Sequence, residues 1–476
     1  MSLRTSLAWT YLAQAICFFV TFGSTIVVAR LVSPRDYGIF AMANAVTIVI
    51  GIFMQLGLAR YITREAYVSK ELLQSLFTVN VIMTAFYVVA ILLGAGTANF
   101  LFASPELGRF LMVFAIFPLI GMFEFIPSAL CAREMKFGWI SAINVTRAVA
   151  LAVSTISLAL LGYEYMSFAW SQVVVAATTC LFYNLLRWRP DVWRLRLSNV
   201  RTILTFGLQM VGIGGTSQIS ARAGDMILGS ILGYTNLGLF NRAANLPANI
   251  IGNVYGVGGN VIFSRMSIDL RETGSFHETY LRFMRLILGL LWPAMLGIAI
   301  LAQPLINLLY GQEWHGAAAP LSLLAIAAAI SMAIGMTTEV FILRHETKRQ
   351  LRIEGLRAAL GIAFFTGGAF ISLWAAAMAK VAEALVAFML YRKPMSDLVG
   401  GSEGALTGVY VESLVLAVAA VVPTILVMQW SGWSPATPIF PILAAIILGG
   451  LAWAVLLLKL RHPLYVECAR LLGLPH

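Results

Sequence analysis

The chain has 476 residues, 60% of them hydrophobic and 11% charged, with a formal net charge of +11. A water-facing domain carries about 25% charged residues, so this composition excludes an ordinary globular fold and leaves one whose surface is lipid. Backbone groups in a bilayer must hydrogen-bond internally, which permits helices or a closed barrel, and long apolar runs without period-two alternation exclude the barrel.

In chain order, apolar runs of the length needed to cross the hydrocarbon predict spans at 8–29, 37–59, 76–97, 109–131, 138–162, 166–186, 203–232, 237–263, 286–308, 318–343, 355–371, 373–391, 407–428 and 439–458. The first run, after Arg4, is too long for a signal-peptide core and predicts a retained span. Prolines 118, 127, 247, 293 and 423 fall inside runs, where each can kink a helix. The four cysteines and five histidines are scattered, so neither a disulfide nor a metal site is expected, and no cofactor.

With the N-terminus in the cytoplasm, the basic residues gather in the turns after the even-numbered spans. Arg60, Arg64 and Lys70 lie there, as do Arg133 and Lys136, the group Arg187, Arg189, Arg194, Arg196 and Arg201, and Arg344, Lys348 and Arg349. The other side receives Arg30, Arg35 and Arg109. This asymmetry predicts a multi-pass membrane protein with both termini cytoplasmic. The positive charge is then a topology signal and a contact with anionic lipid, not a nucleic-acid footprint. Short outer loops argue against an enzyme such as a polymerase or ligase, which must hold an acceptor outside the bilayer.

The turn Tyr37-Gly38-Ile39-Phe40-Ala41-Met42-Ala43 has a counterpart 200 residues on, Leu237-Gly238-Leu239-Phe240-Asn241-Arg242-Ala243. Charged turns also follow the fourth span (Arg133-Glu134-Met135-Lys136) and the tenth (Arg344 to Lys348). An all-α fold of about fourteen transmembrane helices follows, as two parallel six-helix repeats and a terminal pair. The expected organisation is an N-terminal lobe over 1–200, a C-terminal lobe over 201–400, and two further helices with a cytoplasmic tail over 401–476. Glycines including Gly224, Gly229, Gly252 and Gly259 mark spans seven and eight as either the moving part or a close-packed one.

Ionisable side chains inside spans are costly and need a reason. Arg222 and Asp225, and likewise Lys380 and Glu383, are three apart on one helix and can neutralise each other. Arg147 and Arg242 have no partner on their own helix and belong to opposite halves of the repeat. Guanidinium groups stay charged and grip phosphate oxygens, so Arg147, Arg222 and Arg242 are the candidate cations of a cavity for an anionic, phosphate-bearing cargo. The alternative is that they snorkel, or pair across helices with Glu124 or Glu339.

The order of short motifs resembles the bacterial oligosaccharide and polysaccharide flippases of the Wzx type. That group shares a superfamily with multidrug antiporters of the MATE type and the lipid II flippase. The similarity is carried by Ala29-Arg30-Leu31 through Pro34 and Asp36-Tyr37-Gly38, by Arg133 to Phe137, Trp170, Arg189-Pro190, and Asp225 to Gly229. It continues through Leu237 to Phe240, Pro247, Ser264-Arg265, Pro293 and Tyr310-Gly311-Gln312-Glu313-Trp314, and weakens after about residue 400. Two positions depart from it: Phe240 stands where the family has Tyr, and Glu346-Thr347 where it has a Gly-Arg turn.

The resemblance implies a cargo of sugars on an undecaprenyl pyrophosphate carrier, moved from the cytoplasmic to the periplasmic leaflet by alternating access. It implies coupling to an ion gradient, for which Asp225, Glu124 and Glu339 are the candidates, although Arg222 favours a permanently paired Asp225. It also implies partners in a polysaccharide polymerase and a chain-length regulator. A cation-coupled drug antiporter of the same architecture is the alternative. Its site should be acidic, whereas the candidate cavity here leans basic.

Overall fold

The computed structural model describes residues 3–54, 58–65, 67–102, 104–197, 200–401 and 403–465. Cys468, Arg470 and His476 of the C-terminal tail lie outside the described residues. Helices make up nearly all of the described chain, and no strand occurs there. Contacts divide it into two compact units, residues 1–238 and 239–476.

The first unit contains α1 (Leu3–Leu31), α2 (Pro34–Ile50), α3 (Leu58–Arg64), α4 (Lys70–Phe102), α5 (Pro105–Phe114), α6 (Ile116–Gly121), α7 (Phe125–Arg133), α8 (Phe137–Leu160), α9 (Met166–Leu186) and the first arm of α10 (Val200–Thr273). Local chemistry sets the starts. Ser33 caps α2 by accepting from the Asp36 amide, with Pro34 at the first helical position, and Ser104 and Pro105 do the same for α5. Between α8 and α1, and between α8 and α9, the helices pack side by side. A buried cluster that includes Ile62, Leu76, Phe77, Ile126 and Val192 ties α3, α4 and α7 together. Arg133 Nη1 locks that end by donating to the carbonyls of Ile62 and Glu65.

The second unit contains the rest of α10, α11 (His277–Ile300), α12 (Ala302–Tyr310), α13 (Ala318–Met332), α14 (Thr337–Leu343), α15 (Thr347–Ile371), α16 (Leu373–Val399), α17 (Glu403–Trp430) and α18 (Ile439–Lys459). Its fully buried side chains include Trp314, Tyr280, Phe276 and Phe341. Large apolar residues face outward in both units, among them Phe19, Leu93, Phe370 and Phe440. In water they would be an aggregation liability; in hydrocarbon they cost nothing.

Among the described residues, ten helices are long and apolar enough to cross a membrane, and an eleventh span results if the bent pair Pro105–Gly121 and Phe125–Arg133 counts as one. The remaining predicted spans, 37–59, 203–232 and 237–263, fall on α2, which is short at 17 residues, and on α10. Helix α10 breaks at Gly233, between the two predicted spans, where φ of 80° and ψ of 174° suit glycine alone. The structure corrects four spans read as continuous. Helix α2 ends at Ile50 inside the second, the fourth is broken into α5, α6 and α7, the ninth parts at Leu301 between α11 and α12, and the tenth parts between Met332 and Thr337. Pro247, Pro293 and Pro423 sit inside continuous helices.

Candidate substrate pocket

A pocket of about 490 Å³ opens within the first unit, and two helix breaks line it. One is the 3₁₀ turn Gly51–Met54 that ends α2; the other is the segment between Gly121 and Phe125, where the chain bends by 50°. A break frees carbonyls that lipid cannot satisfy, so each needs a donor. At the second break Asn80 donates to the Met122 carbonyl at 3.3 Å and Asn184 to that of Phe123 at 3.2 Å; at the first, the Tyr87 hydroxyl adds a bond of 2.9 Å to the Thr47 carbonyl, which already accepts from the Gly51 amide. The polar side chains of α4 and α9 thus hold the breaks open and give the pocket a polar wall.

Glu124 sits at the second break. Its Oε1 accepts from Arg147 Nη2 of α8 at 2.8 Å, and its Oε2 accepts from the Thr179 hydroxyl of α9 at 2.5 Å. The carboxylate is 16% exposed and the guanidinium 48% exposed. Both line the pocket. Carboxylate and guanidinium meet in a charge-assisted bond, and Thr179 fixes the carboxylate from the other side. Glu124 is therefore a positioning group, and Arg147 is the cation whose remaining surface faces the pocket. The sequence left Arg147 without a partner on its own helix; the structure supplies one across helices, by the pairing weighed as the alternative.

The other predicted residues are placed elsewhere. Arg222 Nη1 meets Asp225 Oδ2 at 3.3 Å on the same helical face, as the three-residue spacing suggested. Arg242 is 2% exposed, its guanidinium 5.1 Å from the Tyr310 ring centre and 5.0 Å from that of Trp314. Those rings belong to the Tyr310-Gly311-Gln312-Glu313-Trp314 stretch, so this motif builds an aromatic cage for Arg242 inside the second unit. Glu339 follows the break between α13 and α14, where Met336 is left-handed (φ 61°). Tyr410 and Tyr280 donate there to the carbonyls of Ala333 and Gly335, at 2.7 and 3.2 Å.

Lys380 and Glu383 pair at 2.9 Å, as read, within a larger network that the sequence did not show. Arg357 Nη1 lies 2.5 Å from Glu383 Oε1, Arg357 also binds Glu354, and the Tyr391 hydroxyl donates to Glu354 at 3.0 Å. Gly361 makes the room, because a Cβ there would meet the Glu383 carboxyl carbon at 2.7 Å. The network joins two acids to two bases and leaves the α15–α16 contact near neutral. The spacing of Glu354 and Arg357, three apart, was the signal available.

Apolar helices in such number, with polar side chains gathered at broken spans around an interior pocket, define a multi-pass membrane protein of the transporter class. The fold agrees with solved members of that class. The lipid II flippase MurJ, in an inward closed conformation, superposes with a TM-score of 0.70 at 12% identity over 94% of this chain and 97% of that one. An inward-facing multidrug resistance MATE family transporter gives 0.59 at 15% identity, over 82% and 98%.

Among curated proteins, the chain is 23% identical to the succinoglycan biosynthesis transport protein ExoT of Rhizobium meliloti (strain 1021), over 68% of this chain and 66% of the relative. It is 20% identical to the lipopolysaccharide biosynthesis protein WzxC of Escherichia coli (strain K12), over 68% of each. The match thus spans about two thirds of the length of these relatives. The family described as polysaccharide biosynthesis protein matches residues 27–319, more than half of the chain, and this chain belongs to it.

Proposed function

We propose that this protein moves a lipid-linked oligosaccharide, carried on a polyprenyl pyrophosphate, from the cytoplasmic to the outer leaflet of the inner membrane for surface polysaccharide synthesis. The observation that carries the reading is Arg147, held by Glu124 at a helix break and half exposed in a pocket whose wall also carries Asn80, Tyr87 and Thr179, in a chain of the polysaccharide biosynthesis family. In this role Arg147 binds a phosphate oxygen, Glu124 and Thr179 aim it, and Asn80 and Tyr87 keep the pocket wall open. Arg222 and Arg242 act through their neighbours, one on Asp225 and one in the aromatic cage. Both termini are cytoplasmic, alternating access moves the cargo, and Asp225 and Glu339 are the acids left for ion coupling. The polymerase and the chain-length regulator of the same polymer receive the product.

The test is complementation in a strain lacking its own copy. Arg147→Ala should lower surface polysaccharide at least tenfold, with lipid-linked repeat units accumulating and the protein present at its normal level. Normal export by Arg147→Ala would overturn the assignment. Loss of drug resistance with intact polysaccharide would favour the antiporter, but Glu124 is tied to Arg147 and so is poorly suited to a cationic drug.

A further inference from the structure

Helix α8 carries a second cavity that the polar pocket does not use. A groove of about 950 Å³ runs between α1 and α8, walled by Leu12 and Ile16 on one side and Phe137, Ala142 and Val145 on the other. Val145 lines this groove while Arg147, two residues on, lines the polar pocket, and residues so spaced face apart on a helix. The two cavities are therefore on different faces of α8.

The mouth of the groove is charged. Lys136 lines it, and Trp139, 54% exposed, stands beside it. Lys136 Nζ meets Glu134 Oε2 at 2.9 Å, and the same oxygen also binds Arg187. One carboxylate thus faces two cations, leaving a positive charge over an apolar slot. The neighbouring cation, Arg133, is held on the backbone of Ile62 and Glu65.

We propose that this groove holds an anionic phospholipid, its acyl chain between α1 and α8, its phosphodiester against Lys136, and Trp139 at headgroup depth. The charge complementarity selects the occupant. One amine, itself shared with Glu134, suits the single charge of a phosphodiester and is a poor match for a pyrophosphate carrier. The site is thus independent of the cargo and of the reading given to Arg147.

The test uses the full-length protein in phosphatidylcholine vesicles doped with a photoactivatable phosphatidylglycerol or a matched photoactivatable phosphatidylcholine. Phosphatidylglycerol adducts should map to residues 12–16 and 137–145, in excess over the phosphatidylcholine probe. Lys136→Gln should lower the phosphatidylglycerol yield about fivefold, the factor expected from about 1 kcal/mol per basic residue at a membrane surface. Lys136→Arg should retain the yield. Ala142→Trp, which fills the slot and leaves the charge, should remove the adducts of both probes. If that variant fails to fold, Lys136→Gln alone decides. Equal labelling by both probes in the native protein, or no effect of Lys136→Gln, would overturn the proposal. So would displacement of the adducts by polyprenyl phosphate added in equal amount, which would make the lipid carrier the occupant.

Discussion

Gly38 and Gly238 pack at one crossing and in the same way. A Cβ on Gly38 would collide with the backbone of Tyr234, whose carbonyl carbon would be 2.5 Å away, and a Cβ on Gly238 would collide with the carbonyl of Pro34 and lie 3.1 Å from the amide nitrogen of Gly38. Each glycine meets the residue four places before the other. All four residues belong to the first unit, so the reciprocal contact is one of its internal crossings.

Gly38→Ala and Gly238→Ala should therefore each destabilise the protein by about 2–4 kcal/mol, because rigid backbone and not a flexible side chain must move. Gly229→Ala should cost less, since the neighbours it would meet, at 3.0 and 3.2 Å, are the side chains of Leu237 and Met42. Gly23→Ala, with nothing within 4 Å, should stay within about 0.5 kcal/mol of the native protein. Thermal unfolding in one detergent gives the ranking, and equal effects at Gly23 and Gly38 would refute the crossing.

The Glu124–Arg147 pair predicts a distinctive pattern of variants. Arg147→Met leaves a carboxylate at 16% exposure without its cation, while Glu124→Gln leaves the half-exposed guanidinium free. Each should cost roughly 1–2 kcal/mol, below the 3–5 typical of a fully buried pair. The double variant should be less destabilised than the sum of the two, giving a coupling of about 1 kcal/mol. Export should fall with either single change and stay low in the double, since stability returns without the cation. Strict additivity in unfolding measurements would show that the two groups do not interact.

Much of this was legible in the residues, and the parts that were not have a common cause. Pairs three apart on one helix, Arg222 with Asp225 and Lys380 with Glu383, are fixed by helix geometry and were readable. Glu124 and Arg147 stand 23 residues apart on different helices, and no periodicity says which helices will meet. The breaks were hidden for the same reason. Proline does not mark them reliably, because Pro293 and Pro423 lie in continuous helices. A turn can unwind only where another helix brings a donor to the freed carbonyl, as Asn80, Asn184, Tyr280 and Tyr410 do. Arg242 illustrates the converse, since its burial is set by Tyr310 and Trp314, far along the chain.

That cage makes a prediction about Arg242. If its role is to hold the Tyr310–Trp314 stretch, Arg242→Lys should destabilise by about 1–2 kcal/mol, since an ammonium neither stacks on two rings nor spreads its donors as a guanidinium does. Transport per folded molecule should stay within about twofold of native. Trp314→Ala should cost more, about 3–5 kcal/mol, because a fully buried indole leaves a cavity. A large transport defect in Arg242→Lys with unchanged unfolding temperature would instead place Arg242 in contact with cargo.

Beyond the end of α18, His462 gives a pH dependence. The ring is fully buried and lies against Gly289, where a Cβ would come within 2.9 Å of it. Its Nδ1 accepts from the Leu464 amide at 3.2 Å, and its Nε2 lies 4.0 Å from Glu412, a carboxylate that Arg285 also approaches at 3.4 Å. Burial, and then the Arg285 charge, push the His462 pKa down to about 4 from 6.5. A histidine whose folded pKa is depressed stays neutral when folded, while the unfolded chain takes up a proton near 6.5. The contribution is therefore present in full above pH 6.5 and is lost as pH falls from 6.5 towards about 4, by up to ~3 kcal/mol. His462→Gln keeps a polar side chain of similar reach but has no proton to gain, so its unfolding temperature should fall less steeply over that window. Parallel curves for the two proteins between pH 6.5 and 4 would show that the ring titrates alike in folded and unfolded chains.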